Sequence, residues 1–291
     1  STGWMQLCAE GVEEVYGVTG HGAHARYMRC PARTLVTLPE ELSFEAGAAI
    51  SCGTGTAWGA LQRLGLQGDH TIAVFGQGPV GLSATQLAAA MGARVVALDT
   101  SAERLARAGE FGADALINPK ETPDVVDAIR SLTHGLGAHL SLDASSSPEA
   151  RAQAVRCVRT WGKACFVGEG GEVTIDVSPD MLRRQASVVA SWTFSTVGQE
   201  ECAQFIVDRG IKVDEVDKIR AAGFDPDDVL GSRLHLAGLG AAEAATAIGL
   251  GYVRALFEGY APRFERHLVD ELGYRGPQMM VEALDALPEA P

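Results

Sequence analysis

Between residues 71 and 192 the sequence alternates short apolar runs with helix-patterned segments. This alternation restricts the fold more than any other feature. The runs TIAVF (71–75), RVVAL (94–98), ALIN (115–118), HLSLD (139–143), KACFVG (163–168) and ASVVASW (186–192) predict strands. Between them, PVGLSATQLAAAMGA (79–93), SAERLARAGEFGA (101–113), TPDVVDAIRSLT (122–133) and SPEARAQAVRCVR (147–159) predict helices. Strands separated by helices of this length require right-handed crossovers and a parallel sheet. Six such strands, over roughly 66–195, predict an α/β fold with a doubly wound sheet of the Rossmann type.

The turn after the first strand reads GQGPVG, with Gly76, Gly78 and Gly81 in the G-x-G-x-x-G pattern. The first glycine permits a tight turn, the second lets the backbone approach a pyrophosphate, and the third lets helix and strand pack closely. Pro79 suits the first helical position, where its missing N–H costs nothing. The helix start that follows presents free N–H groups and a partial positive charge to phosphates. Asp99 ends the second strand, 18 residues after Gly81. A carboxylate there accepts hydrogen bonds from ribose hydroxyls and repels a 2′-phosphate, which favours NAD over NADP. The same residues also suit a glycine turn in an unliganded α/β domain, with Asp99 merely capping a helix.

The formal net charge of −13 and the lack of a Lys/Arg-rich run argue against nucleic-acid partners. No apolar run has the length of a membrane helix, and the first residues resemble neither a signal nor a transit peptide. Six scattered cysteines, at 8, 30, 52, 157, 165 and 202, fit reduced thiols and a cytoplasmic location. Residues 1–45 are rich in loop and strand signals, and beyond a break near 213–225 the chain reads as helical. There Val253, Leu256, Phe257 and Tyr260 fall on one helical stripe.

AAISCGTGTAWGAL (47–60) contains Cys52 among glycines, threonines and alanines. Taken alone, such a cysteine reads first as a small core residue, since free cysteines are among the most buried residue types. The other reading is a metal ligand whose partners lie elsewhere.

Three segments together resemble the zinc-type medium-chain alcohol dehydrogenases, the group of sorbitol and threonine dehydrogenases. They are GAHARYMRCPARTLVTLPEELSFEAGAAISCGTGTAWGAL, VFGQGPVGLSATQLAAAMGARVVALDTSAERLARAGEFGAD and FIVDRGIKVD. The resemblance runs to about residue 213. It implies a partial β-rich, GroES-like domain over 1–62, an NAD-binding Rossmann domain over 63–213 and a helical tail over 214–291. Cys52 falls where the family places a catalytic zinc ligand, and Thr56 where a threonine lies against the nicotinamide. In such enzymes zinc polarises the alcohol oxygen so that the alkoxide can lose a hydride. By the same carry-over Gly76, Gly78, Pro79, Val80 and Gly81 hold the pyrophosphate. Asp99 and Arg104 face the adenosine ribose, and Val167 and Gly168 line the nicotinamide side. The intact family implies a small alcohol or polyol substrate and a homo-oligomer.

Two stretches depart from the family pattern. Cys8 resembles the fourth ligand of a structural zinc whose three partners are missing, and the upstream catalytic ligands are missing too. This predicts an N-terminally truncated, inactive chain in which zinc is doubtful. His21 and His24 read as solvated loop residues rather than substitutes. The tail, with LFEGYAPRFERHLVDELGYRGP, resembles the segment preceding the catalytic domain of repeat-linked S-adenosylmethionine methyltransferases. A non-catalytic nucleotide-binding module and a methyltransferase-fusion fragment are the alternative functions. Trp58, Trp161, Trp192 and the other cysteines read as packing residues.

Overall fold

The computed structural model of the protein describes residues 27–213, together with Val15, Tyr16, Gly20, Gly22 and Ala23. The chain divides into two compact units. In the unit that includes Trp4–Leu35, Tyr16 bridges to Gly20, and Ala32–Thr34 forms a 3-10 turn closed by the Thr34 hydroxyl on the Pro31 carbonyl at 2.7 Å. The unit that includes Val36–Gly223 holds the sheet.

Among its described residues, six parallel strands run β1 (Thr71–Phe75), β2 (Arg94–Leu98), β3 (Ala115–Ile117), β4 (Ala138–Asp143), β5 (Val158–Phe166) and β6 (Ser187–Ala190). Their order is β3-β2-β1-β4-β5-β6, so the winding reverses between β1 and β4. Both faces of β1 are covered, which is why TIAVF is apolar throughout. Ile72 and Val74 pack on one face, and Ala73 and Phe75 on the other. Successive strand side chains point to opposite faces, so this split follows from the period of two.

Before β1 come α1 (Phe44–Ala49), a π turn (Ile50–Thr54) and α2 (Gly55–Leu64). After it come α3 (Pro79–Ala90), α4 (Ala102–Glu110), α5 (Val125–Leu132), α6 (Pro148–Cys157), the single turn α7 (Val177–Asp180) and α8 (Thr196–Arg209). Helices α2, α3 and α8 share the face of Ile72 and Val74, while α5 and α6 cover Ala73 and Phe75. Each of α4, α5, α6 and α8 opens with a Ser or Asp whose side chain accepts a first-turn N–H.

The expected strands and helices appear with small shifts at their ends. The clearest shift follows α6, which stops at Cys157 rather than 159. Ala138 pairs with Val158 and Leu140 with Lys163, so the four residues between bulge out of β5. Trp161 sits on this bulge at φ 66° and is 73% exposed, and Trp192 is 54% exposed. That overturns the packing role expected for both; of the three tryptophans so assigned, Trp58 is buried. The helical tail expected over 214–291 lies outside the described residues.

Candidate functional site

The reversal between β1 and β4 opens a crevice at the carboxyl ends of the strands, where doubly wound sheets bind their ligands. The glycine turn closes one side of it. At Gly76 φ is 85°, and a Cβ would meet Ser145 at 3.0–3.1 Å. At Gly81 a Cβ would lie 1.7 Å from the Gly76 carbonyl oxygen. Both positions are sterically bound to glycine. Gly78 differs, for a Cβ there meets nothing within 4 Å. It precedes Pro79 at the start of α3, and no side chain caps that helix. The turn therefore leaves open space beside uncapped helix amides, and a side chain at 78 would project into it.

Gln77 anchors the turn from below. Its side chain is fully buried, donating to the Val74 carbonyl at 2.9 Å and accepting from the Thr85 hydroxyl at 2.9 Å. Its backbone N–H donates to Asp99 Oδ2 at 2.7 Å, while Asp99 Oδ1 accepts from the Ser101 N–H at 2.8 Å. The Asp99 carboxylate is buried beside the turn, and Arg104 Nη1 stands 3.9 Å from it. Val80 and Gly81 lie in the first turn of α3, which Pro79 begins.

Across the crevice lies a feature that sequence reasoning missed. Asp143, at the end of β4, is fully buried and pairs with Arg151 of α6 at 3.2 Å. Asp143 also accepts from the Ser145 N–H and hydroxyl at 3.0 and 2.6 Å, and from the Ser146 N–H at 3.3 Å. Arg151 donates onward to the Gly168 carbonyl at 2.6 Å. The N–H groups of Val167 and Gly168 donate to the Asp143 carbonyl at 2.9 and 3.0 Å. A Cβ at Gly168 would meet Ser146 at 2.6 Å. One ion pair thus fixes the loops after β4 and β5 against each other. The only sequence trace is an Asp and an Arg eight residues apart, with no periodicity to join them.

The π turn brings Cys52 to this end of the unit. Gly53 faces the start of α3, its Cβ position 3.7 Å from Pro79. Thr54 Oγ1 and Ser83 Oγ lie 3.0 Å apart and tie the turn to α3. Thr56 is half-buried on the first turn of α2. Cys52 is exposed, so the core-filling reading fails for it. Cys157 and Cys165 do fill the core, and burial pushes both thiols up to about 12. At neutral pH they remain protonated and chemically inert. Cys8, His21 and His24 lie outside the described residues. Among those described, no group of three or more His, Cys, Asp or Glu side chains could hold a metal ion. No described helix is long and apolar enough to cross a membrane.

Residues 79–209 match the family described as zinc-binding dehydrogenase. An uncharacterized zinc-type alcohol dehydrogenase-like protein of Escherichia coli (strain K12) is 36% identical over 207 residues, covering 71% of this chain and 58% of that protein. Residues 79–209 therefore carry a domain of the zinc-binding dehydrogenase family. The L-threonine 3-dehydrogenase of Symbiobacterium thermophilum is 32% identical over 62% of this chain and 51% of its own length. A crystal structure of an NAD-dependent alcohol dehydrogenase matches with TM-score 0.63 and 28% identity, over 72% of this chain and 60% of that one. The chain spans about three fifths of the length of the first curated relatives, 58% and 61%. The comparisons lend no support to the methyltransferase resemblance of the tail.

Proposed function

We propose that this chain binds NAD and forms the nucleotide-binding part of an alcohol or polyol dehydrogenase. The observation that carries the reading is Gly78, which is open to solvent beside uncapped helix amides and flanked by two glycines that sterics require. The pyrophosphate rests over Gly76, Gly78, Pro79 and Val80, with Gly81 keeping α3 close to the turn. Asp99 receives the adenosine ribose hydroxyls, and its burial and its bond from Gln77 hold it in place. Arg104 lies on the outer side of that ribose. The nicotinamide ring lies between Thr56 and the Val167–Gly168 backbone.

A bound nicotinamide would supply the acceptor for the hydride that leaves the alcohol carbon as its O–H proton is lost, and Thr56 with the Val167–Gly168 backbone would hold the ring. The chain's part is to orient that ring, and the Asp143–Arg151 pair sets the position of the Gly168 wall. The described residues do not fit a catalytic zinc. Such a site needs three protein ligands, and among the described residues no group of three His, Cys, Asp or Glu side chains could hold a metal ion.

Titration with NADH, followed by cofactor fluorescence, tests the reading together with Gly78→Val. Saturable binding that weakens about tenfold or more in the variant is expected, since a branched side chain fills the pyrophosphate space. Wild-type protein that leaves NADH fluorescence unchanged would refute it, as would a variant that binds equally well.

A further inference from the structure

On the opposite face of the sheet from Cys52, a cavity of about 480 Å³ opens between α5, α6 and the segment around α7. Arg130, Arg156 and Arg184 line it, with Asp124, Asp180 and Gln153. In a chain with 37 acidic and 24 basic residues, three guanidinium groups against two carboxylates reverse the general balance.

The carboxylates are already engaged. Asp180 Oδ2 accepts from Arg156 Nε at 3.0 Å and from the Asp176 N–H at 2.9 Å. Asp124 caps α5, accepting from the Asp127 N–H at 2.9 Å. Among the described residues, the hydrogen bonds of the other two arginines go to carbonyl groups. Arg130 Nη2 donates to the Arg156 carbonyl at 3.2 Å. Arg184 Nη1 lies 3.3 Å from the Val155 carbonyl and 3.4 Å from that of Asp180, while its Nη2 is buried with no partner. Burial first, and then the Arg130 charge, hold the Arg184 pKa below the ordinary arginine value. The Asp180 carboxylate acts against both, but it already accepts from Arg156 and the Asp176 N–H, and a buried donor left unpaired is costly.

We propose that this cavity is a second ligand site, which takes the phosphoryl group of a small organic phosphate monoester between Arg130 and Arg184. A phosphate dianion offers several strong acceptor oxygens and matches the forked geometry of guanidinium groups. The cavity lies within the size range of small-molecule pockets, so it has room beyond the phosphoryl group itself. Val125, Val126 and Pro179 give the organic part an apolar wall. No lining residue belongs to the glycine turn or to the Cys52 segment. The site is therefore separate from the one proposed for NAD and does not depend on that reading.

Isothermal titration with glucose 6-phosphate, inorganic phosphate and glucose decides the matter, using wild-type protein, Arg130→Gln and Arg184→Gln. Binding of the ester or of phosphate, but not of glucose, is expected. Each substitution should weaken it about tenfold or more, as loss of one partner of a buried charge contact does. Circular dichroism checks that each variant is folded. If Arg184→Gln is not, Arg130→Gln alone decides, because its side chain gives up a single bond to α6. NADH titration should be unchanged in the variants, whatever its outcome in wild type. No binding of either phosphate probe at millimolar concentration overturns the proposal. So does binding that both substitutions leave intact, for that would place the anion at the glycine turn.

Discussion

At the scale of single residues, the site turns on which atoms are already occupied. Gly76 and Gly81 belong to the fold, because a side chain at either collides with Ser145 or with the Gly76 carbonyl. Gly78 is free of that constraint, and in the proposed function its lack of a side chain leaves room for the pyrophosphate. The motif alone could not separate these roles, since all three glycines look alike in sequence. Asp99 was legible as an acidic residue at a strand end. Its bond from the Gln77 N–H was not, because that requires β1 and β2 to be neighbours. In the function proposed above, Asp99 is the determinant of cofactor choice. Its carboxylate is fixed beside the turn and repels a 2′-phosphate, while Arg104 stands 3.9 Å away, ready to attract one. Asp99→Ala should therefore weaken NADH binding and strengthen NADPH binding, by about tenfold in the ratio of the two dissociation constants. Parallel fluorescence titrations measure that ratio. An unchanged ratio would remove Asp99 from the role given to it.

At the scale of elements, the Asp143–Arg151 pair is the strongest internal test. Asp143 is fully buried, and Arg151 holds the loop after β5 through the Gly168 carbonyl. Arg151→Met leaves a buried carboxylate unpaired and should cost about 3–5 kcal/mol in urea unfolding. The double variant with Asp143→Asn should recover a large part of that loss; if it does not, packing rather than charge sets the cost. A second test concerns the amino ends of β1 and β4, where His139 stacks on His70 with ring centroids 4.9 Å apart. His139 Nδ1 accepts the Thr71 N–H at 3.0 Å, which only the neutral ring can do. Burial, then Arg159 and His70, lower its pKa from 6.5. The unfolded chain thus takes up the proton first as pH falls through about 6.5, and stability declines below that point. Urea midpoints at neutral and mildly acid pH should show the decline, and His139→Asn should flatten it. The buried strands were easy to read, because two covered faces leave continuous apolar runs. Helices α1 and α2 were not, because Gly, Ser and Thr weaken the helical signal across the π turn. Helix α8 escaped as well, for it buries only Cys202, Ala203 and Ile206. Trp161 was misread because its exposure depends on a bulge that sequence does not announce.

At the scale of the molecule, the ligand proposed here bridges both halves of one sheet. Its pyrophosphate sits after β1, its ribose after β2, and its nicotinamide beside the loops after β4 and β5. All four strands share continuous pairing, and α2, α3 and α8 pack over them in a single core. A ligand contacting both halves should therefore raise one cooperative transition rather than protect a local segment. Binding to the folded state alone stabilises it by about 2.7 kcal/mol at a free ligand concentration of about a hundred times the dissociation constant. For a domain of about 150–250 residues, each kcal/mol moves the midpoint by about 2–4 °C. NADH at that concentration should then raise the thermal midpoint by about 5–10 °C, as a single shifted transition in circular dichroism. AMP, which reaches only the β2 side, should shift it less at equal concentration. Two outcomes would sink this picture. One is an AMP shift as large as that of NADH, which would confine the bound ligand to the adenosine half. The other is a split transition, in which strands β4–β6 melt apart from β1–β3 while NADH holds only one of the two halves.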